Sequence, residues 1–298
     1  MGSIYPITFS IPEEKIVKER PIKRKLLSSL IPGDLRTYIY NTEEDYYNEY
    51  KQSFFAKTTK KSGWDCMRHY EIIANGCIPY FPDLHKCPPQ TMALLPKELL
   101  QEGNKLYQKL HRRLDCDMND EEYAKYEALQ TKLVTYMRNH LTTRKMAEYI
   151  LRKTNHNQAT KILFLSGNTG PDYLRCVTLH GFKSMFGPAC HDYPKVPHIY
   201  KSSSIDYSIL YGKGITYTNL LEQTEHDDTT DTRIVDAIMK KEFDCVIYGS
   251  YHRGMPFYDV VQTVYSPSDV ILLCGEDIHK CNYMQWVNKG HQVFVREL

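Results

Sequence analysis

Short apolar runs closed by glycine, proline or polar clusters recur along the chain. They alternate with stretches whose apolar residues fall at three- and four-residue spacing. In the first half, "ITFSI" (Ile7 to Ile11) stops at Pro12 and reads as a strand. The basic stretch Lys15 to Lys25 reads as a solvated loop and helix start. "LRTYIYN" (Leu35 to Asn41), rich in β-branched and aromatic residues, reads as a second strand. "TEEDYYNEYKQS" opens with a threonine cap and an acidic first turn, as a helix start does. "FFAKT" is a third strand. The loop "KKSGWD", the helix "CMRHYEIIAN" and, after Gly76, the strand "CIPYF" follow. From Asn104 to Lys153 the pattern is helical with charged faces, interrupted at Asp115 to Asp120 and at Thr142. No chemistry is assigned there.

The second half repeats strand and helix. "TKILFLSGNTG" supplies a buried strand from Lys161 to Ser166 and a glycine-rich turn. "DYLRCVTLHGFKSMFG" is a helix ended by Gly187. "DTRIVDAIMKKE" leads into "FDCVIYGS", "YDVVQTVYS" leads into "DVILLCGED", and "HQVFVREL" is strand-like. This alternation predicts an α/β protein with parallel sheets covered by helices, in units 1–103, 104–158 (a helical connector) and 159–298. Ligands of such sheets lie at the carboxyl ends of the strands. In the last unit those ends are "SGNTGPD", "YGSYHRG" and "CGEDIHK", each carrying ionisable residues directly after an apolar strand.

The stretch "GWDCMRHYEIIANGCIPYF" puts Arg68, His69 and Glu71 at the front of a helix that otherwise belongs in a core. Glu71, near a helix start, is placed to accept both hydroxyls of a ribose. The open amides and the dipole, equivalent to about half a charge, favour the adjacent diphosphate. Arg68, three residues earlier and close to the same face, can neutralise that diphosphate as a leaving group. Alternatively Arg68 and Glu71 form an ordinary helix ion pair worth about 0.2–0.5 kcal/mol. The loop "KTTKKSG" gathers Lys57, Thr58, Lys60, Lys61 and Gly63 immediately upstream, which favours the ligand reading. Trp64 either stacks on a sugar or base or packs in the core, and Asp65 belongs to the approach loop. His69 either packs or bonds the diphosphate.

Composition narrows the classes. An apolar fraction of 42% and a net charge of +2 describe a globular chain without the basic surfeit expected of a nucleic-acid binder. No apolar run approaches the roughly 20 residues of a membrane span, and the N-terminus lacks a signal pattern, so a cytoplasmic protein is expected. The nine cysteines form no CxxC pair and several sit in apparent strands and helices, which predicts reduced core thiols. Cys66, Cys77 and Cys87 lack ligand spacing, so no metal site is assigned.

The run from Tyr46 to Leu99, with its arginine, its glutamate and "GCIP" in that order, resembles the nucleotide-sugar domain of GT-B fold glycosyltransferases, specifically the exostosin-like family. In that superfamily a glutamate five residues before a glycine binds the donor ribose, and Glu71 stands in that position. "KILFLSG", "FDCVIYG" and "VILLCGED" resemble the acceptor domain more loosely. The resemblance implies two Rossmann-like domains facing across a cleft. It departs from the family in order, donor domain first, as if "HQVFVREL" once ran into "IYPITFSIPEE". That implies a circular permutation. It further implies inverting transfer from a UDP-sugar, UDP-xylose or UDP-glucose among others, to a glycan hydroxyl, with no metal or other cofactor required. "DCD" at Asp115 to Asp117 fits a metal-binding DxD but lies in the helical region. The base would be Asp172, unless that residue is merely the N-cap of its helix, or else Glu276 or Asp277. His252, Arg253 and His279 would bind the acceptor or stand in solvated loops. The alternative is a catalytically inactive module that binds a nucleotide-sugar or glycan. The oligomeric state is not legible.

Overall fold

A computed structural model describes residues 2–112, 118–277 and 281–298. The "DCD" triplet and His279 lie outside the described residues. The elements in chain order are β1 (Ser3–Pro6), β2 (Lys25–Leu27), α1 (Glu43–Lys51), β3 (Ser53–Lys57), α2 (Met67–Ala74), β4 (Ile78–Tyr80), α3 (Lys97–Leu110), α4 (Asp120–His140) and α5 (Thr143–Lys153). They continue with β5 (Ile162–Leu165), α6 (Tyr173–Phe186), β6 (Cys190–Tyr193), α7 (Asp228–Asp231), α8 (Ile234–Met239), β7 (Cys245–Tyr248), α9 (Tyr258–Val264), β8 (Val270–Cys274), α10 (Tyr283–Asn288) and β9 (Gln292–Val295).

These strands make two parallel sheets, a six-stranded one ordered β1-β9-β8-β7-β5-β6 and a three-stranded one ordered β2-β3-β4. Strands β5, β7, β8 and β9 are buried along their whole length, as strands covered on both faces must be. Counted from β5, the order is the doubly wound 2-1-3-4-5 with β1 added at the edge. One hydrophobic core spans both sheets: Phe55 and Ile78 of the small sheet belong to the same cluster as Ile162, Phe164, Ile271 and Phe294 of the large one.

Helix caps fall where the side chains predict them. Thr42 accepts from the Asp45 amide, Thr142 from the Lys145 amide, and Asn119 forms a capping box with Glu122. Helices α5 and α6 touch at Gly181, where a Cβ would collide with the Thr143 carbonyl oxygen. We predict that Gly181→Ala destabilises the protein by about 1–3 kcal/mol through overpacking, read as a lower urea midpoint with unchanged m-value.

Several expectations are corrected. Ile7 to Ile11 is not a strand. The strand lies just before it, and Ile7 to Ile11 crosses the core with its amides bonded to the Val295 and Leu141 carbonyls at its two ends. Strand β1 pairs with β9, so the first residues belong to the larger sheet rather than with the 27–80 region. The chain's two ends are therefore neighbours but run parallel, and joining a parallel pair needs a crossover, so "HQVFVREL" does not simply run into "IYPITFSIPEE". Leu35 to Asn41 is a 3-10 turn (Leu35–Thr37) capped by Asp34, followed by irregular chain. Its apolar composition has no partner strand, and Leu35 and Ile39 stay exposed. The basic stretch is not simply solvated, because the half-buried Lys23 donates to the Lys51 carbonyl (2.9 Å) and desolvation pushes its pKa down to about 8. Cys274 and Cys281 form a disulfide, their Cα atoms 6.6 Å apart, so the argument from reduced thiols to a reducing compartment falls away. No helix is long and apolar enough to cross a membrane among the described residues.

Candidate functional site

A cleft of about 1220 Å³ lies between the carboxyl ends of the two sheets. Its lining comes from the segments after β2 and β3 and the start of α2 on one side. On the other it comes from the segments after β5, β7, β8 and β9. The loop 200–221 also contributes, through Leu210 to Lys213 and Ile215.

On the small-sheet side, α2 begins at Met67, and its N-cap Cys66 makes no side-chain cap bond. The His69 amide bonds the Cys66 carbonyl at 3.0 Å, which leaves the Met67 and Arg68 amides at the positive end of the dipole, beside the cleft that both residues line. Arg68 stands on this first turn and lines the cleft. The one hydrogen bond found for its side chain is a long 3.4 Å contact to the Thr58 hydroxyl. No carboxylate lies within ion-pair distance of Arg68 among the described residues, Glu71 included. A guanidinium stays protonated, so this one is a half-buried cation with no direct ion-pair partner among the described residues, although its field reaches Glu71.

Glu71 is buried at 4% exposure and its two oxygens are both engaged. Tyr46 donates to Oε2 at 2.8 Å, and Thr216 donates to Oε1 at 2.6 Å. Burial pushes its pKa up, and the two hydroxyls and Arg68 recover only part of that. Thr216 reaches Glu71 from the loop 200–221, whose base is closed by pairing of Tyr200 with Leu221. The loop is gripped at several further points, among them the Tyr47 hydroxyl 2.6 Å from Thr216 Oγ1. The Thr216 amide donates to Glu43 (2.7 Å), Lys213 donates to the Tyr40 carbonyl (2.7 Å), and Lys61 donates to the Tyr211 hydroxyl (2.9 Å). Thr216 has φ +77°, a left-handed conformation that is an outlier for a β-branched residue and costs about 1–3 kcal/mol.

Across the cleft, the turn after β5 packs so closely on the loop after β7 that a Cβ on Gly167 would collide with the Arg253 backbone. This is the point at which the strand order reverses, between β5 and β7. Asp172 caps α6 through the Arg175 amide (3.0 Å), accepts from Ser250 (2.6 Å) and pairs with Arg253 (3.1 Å). Burial alone would raise its pKa, but Arg175 and Arg253 outweigh that and hold it below the ordinary value. Asp172 is therefore the N-cap, and the start of α6 is satisfied where that of α2 is open. Glu276 lines the cleft and pairs with His252 at 2.9 Å. Burial holds the His252 ring below the ordinary histidine pKa, against the pull of Glu276 and Asp172. Asp277 pairs with Arg296.

Beneath the cleft, Glu297 accepts from the amides of Trp64 and Asp65, both at 3.0 Å. Gly63 permits this approach, since a Cβ there would meet Glu297 Oε1 at 2.6 Å. Asp65 is buried, accepting from the Phe9 amide (2.7 Å) and the Tyr70 hydroxyl (2.9 Å). Arg296, 1% exposed, bonds Glu297, Asp277 and the Asp65 and Gly275 carbonyls.

The fold thus brings Arg68, Glu71, Lys61, Gly63, Asp65, Asp172, Arg253, Glu276 and Asp277 to one cleft. Lys57, Thr58, Lys60, Trp64 and His252 do not line it. Trp64 packs on Phe81 and lies under Lys60, which removes both from a ligand. His69 is a core residue, bonded to the Thr58 hydroxyl and the Trp64 carbonyl (2.9 Å each), with burial pushing its pKa down to about 3. Arg296 and Thr216 were missed. Arg296 follows an apolar strand at its carboxyl end, the same signal that marked the other three loops. Thr216 carries no sequence signal. Comparison with protein-family models, with curated proteins and with solved structures gave no match.

Proposed function

We propose that the cleft binds a nucleoside diphosphate sugar and that the protein transfers the sugar to a hydroxyl acceptor. The observation that carries this reading is Arg68, a cation with no ion-pair partner among the described residues, beside the open start of α2. Such a helix start with a positioned guanidinium suits a diphosphate. The diphosphate lies across the first amides of α2, and Glu71 takes ribose hydroxyls in place of the Thr216 hydroxyl that now occupies Oε1. The acceptor enters from the large-sheet side. Glu276 is the base of choice, because Asp172 has spent its oxygens on Arg175, Ser250 and Arg253. Glu276 takes the acceptor proton as the acceptor oxygen bonds to the anomeric carbon on the face opposite the leaving group. The bond from that carbon to the diphosphate oxygen breaks, and the released charge falls on Arg68 and the helix start.

A binding module without turnover is the second reading. It is favoured by the pairing of all three candidate bases, Asp172 with Arg253, Glu276 with His252 and Asp277 with Arg296. A panel of UDP-sugars and glycan acceptors, followed by chromatography for released UDP and glycosylated product, separates the two. Product formation supports transfer, UDP-sugar binding without product supports the module, and no binding of any UDP-sugar sinks both.

The closed loop makes its own prediction. Thr216→Val keeps the β-branched shape and removes the hydroxyl, leaving Glu71 Oε1 buried and unsatisfied at a cost of about 1–3 kcal/mol. The Tyr47 hydroxyl, 2.6 Å from Thr216 Oγ1, loses that partner in the same variant. A ribose hydroxyl reaching Oε1 would restore the lost bond, so UDP should bind about tenfold or more tightly to Thr216→Val than to the native protein by calorimetry. An unchanged affinity would mean that ribose does not reach Glu71.

A further inference from the structure

Outside the cleft, at the edge strand β6, the chain assembles a second group of ionisable side chains. His226 is 7% exposed and its Nδ1 donates to Asp192 Oδ1 at 3.0 Å. That oxygen also accepts from the Tyr200 hydroxyl (2.6 Å) and the buried Lys183 ammonium (2.9 Å), so Asp192 is a fixed, ionised acceptor. The bond places the imidazole hydrogen on Nδ1 and leaves Nε2 to face outward. There it meets Asp231 Oδ2 at 3.1 Å and Asp228 Oδ1 at 3.5 Å. His191, from β6 itself, holds the other Asp231 oxygen at 2.9 Å and so orients that carboxylate toward His226.

Without a metal, Nε2 shares a proton with Asp231 Oδ2, and the Lys195 ammonium stands 3.9 Å from Asp228 Oδ1; a zinc ion bound at Nε2 would take the place of that proton. The three donor atoms lie within 4.8 Å of one another. Tetrahedral zinc with bonds of about 2.0–2.1 Å separates its ligand atoms by about 3.3 Å. The separations of 3.1 and 3.5 Å from His226 straddle that value. The carboxylate behind the histidine is independent of the cluster and is the usual partner of a metal-bound imidazole, fixing its tautomer and raising its basicity. We propose that His226, Asp228 and Asp231 bind a zinc ion, with water as the fourth ligand on the exposed side of Asp228.

The ion clamps a particular piece of chain. The loop 200–221 leaves the sheet after β6 and returns just before His226, and its two stems already meet at Asp192 through Tyr200 and His226. Zinc would fix the base of the loop whose far end carries Thr216 to the cleft. The inference does not rest on what the cleft binds.

The test is calorimetric titration of EDTA-stripped protein with ZnCl₂ at about pH 7.5, where the imidazole ligand is available. The expected result is one saturable site per chain, a higher Tm with zinc, and four-coordinate visible bands when Co²⁺ is substituted. Asp228→Asn, an exposed position that does not threaten folding, and His226→Gln should each weaken the site at least about tenfold. Absence of saturable binding by the native protein at about 100 μM zinc would overturn the proposal. Equal zinc affinity in both variants and the native protein would overturn it too.

Discussion

Arg68→Ala is expected to weaken UDP binding by roughly 10- to 150-fold, equivalent to the about 1.5–3 kcal/mol of hydrogen bonds to a charged group. The size follows from what the guanidinium lacks. Among the described residues it has no carboxylate within ion-pair distance, and its one hydrogen bond, at 3.4 Å to Thr58, is weak. Its capacity is therefore free for a phosphate. The variant breaks no ion pair among the described residues, so without ligand it should lose little stability, the loss coming from the Arg68 field that helps to keep the buried Glu71 carboxylate charged. An arginine that served the fold would behave oppositely, since removing one member of a buried pair costs about 3–5 kcal/mol. Arg68→Lys should recover only part of the affinity, keeping the charge but losing the planar fork. Uridine, without phosphates, should bind native and Arg68→Ala protein alike. Calorimetry with UDP and uridine, paired with urea unfolding of each variant, checks all four outcomes. Loss of stability with unchanged UDP affinity would remove Arg68 from the proposed site.

The legible parts of the molecule are those whose side chains face uniform surroundings. Ile162–Leu165, Cys245–Tyr248, Val270–Cys274 and Gln292–Val295 are buried from end to end, and three of them read as unbroken apolar runs. Cys190–Tyr193 is equally a strand, but His191 and Asp192 disguise it. Their burial is compensated by Tyr200 and Lys183 nearby in the chain and by Asp231 and His226, which lie 40 and 34 residues away. Local pattern has no access to such partners. Lys25–Leu27 is hidden likewise inside a basic run, where Lys25 is answered by Glu49 at 2.7 Å. Leu35 to Asn41 fails in the other direction, with strand-forming residues and no strand to pair with. At the cleft, Arg68 and Glu71 were readable because a helix start and an apolar face dictate where their side chains go. The alternative of a helix ion pair between them is not what forms, since the carboxylate turns to Tyr46 and Thr216, partners that local spacing does not reveal.

Arg296→Met should be the most destabilising of the substitutions considered, by about 3–5 kcal/mol near neutral pH. The methionine fills much of the same volume, but the buried Asp65 and Glu297 lose the guanidinium that lies between them and the last turn of the large sheet. Glu297 holds the amides of Trp64 and Asp65, and Asp65 holds the Phe9 amide and Tyr70, so the loss reaches the loop that feeds α2. The pH dependence has a definite sign. Burial pushes the Asp65 pKa from 3.8 up to about 6, against the pull of Arg296, the Phe9 amide and Tyr70. Between those values the folded state holds more protons than the unfolded chain, so this group adds stability as pH falls and withdraws it as pH rises through about 6. Removing Arg296 takes away the largest pull downward, raising the Asp65 pKa further. The variant can then relieve its stranded carboxylate by protonation at a pH where the native protein has not yet done so. The stability gap between Arg296→Met and native protein should therefore shrink from about pH 7.5 to about pH 5, measured by urea unfolding at each. A gap that stays constant over that range would mean Arg296 contributes packing rather than charge. A gap that widens toward low pH would place Asp65 outside the network described for it.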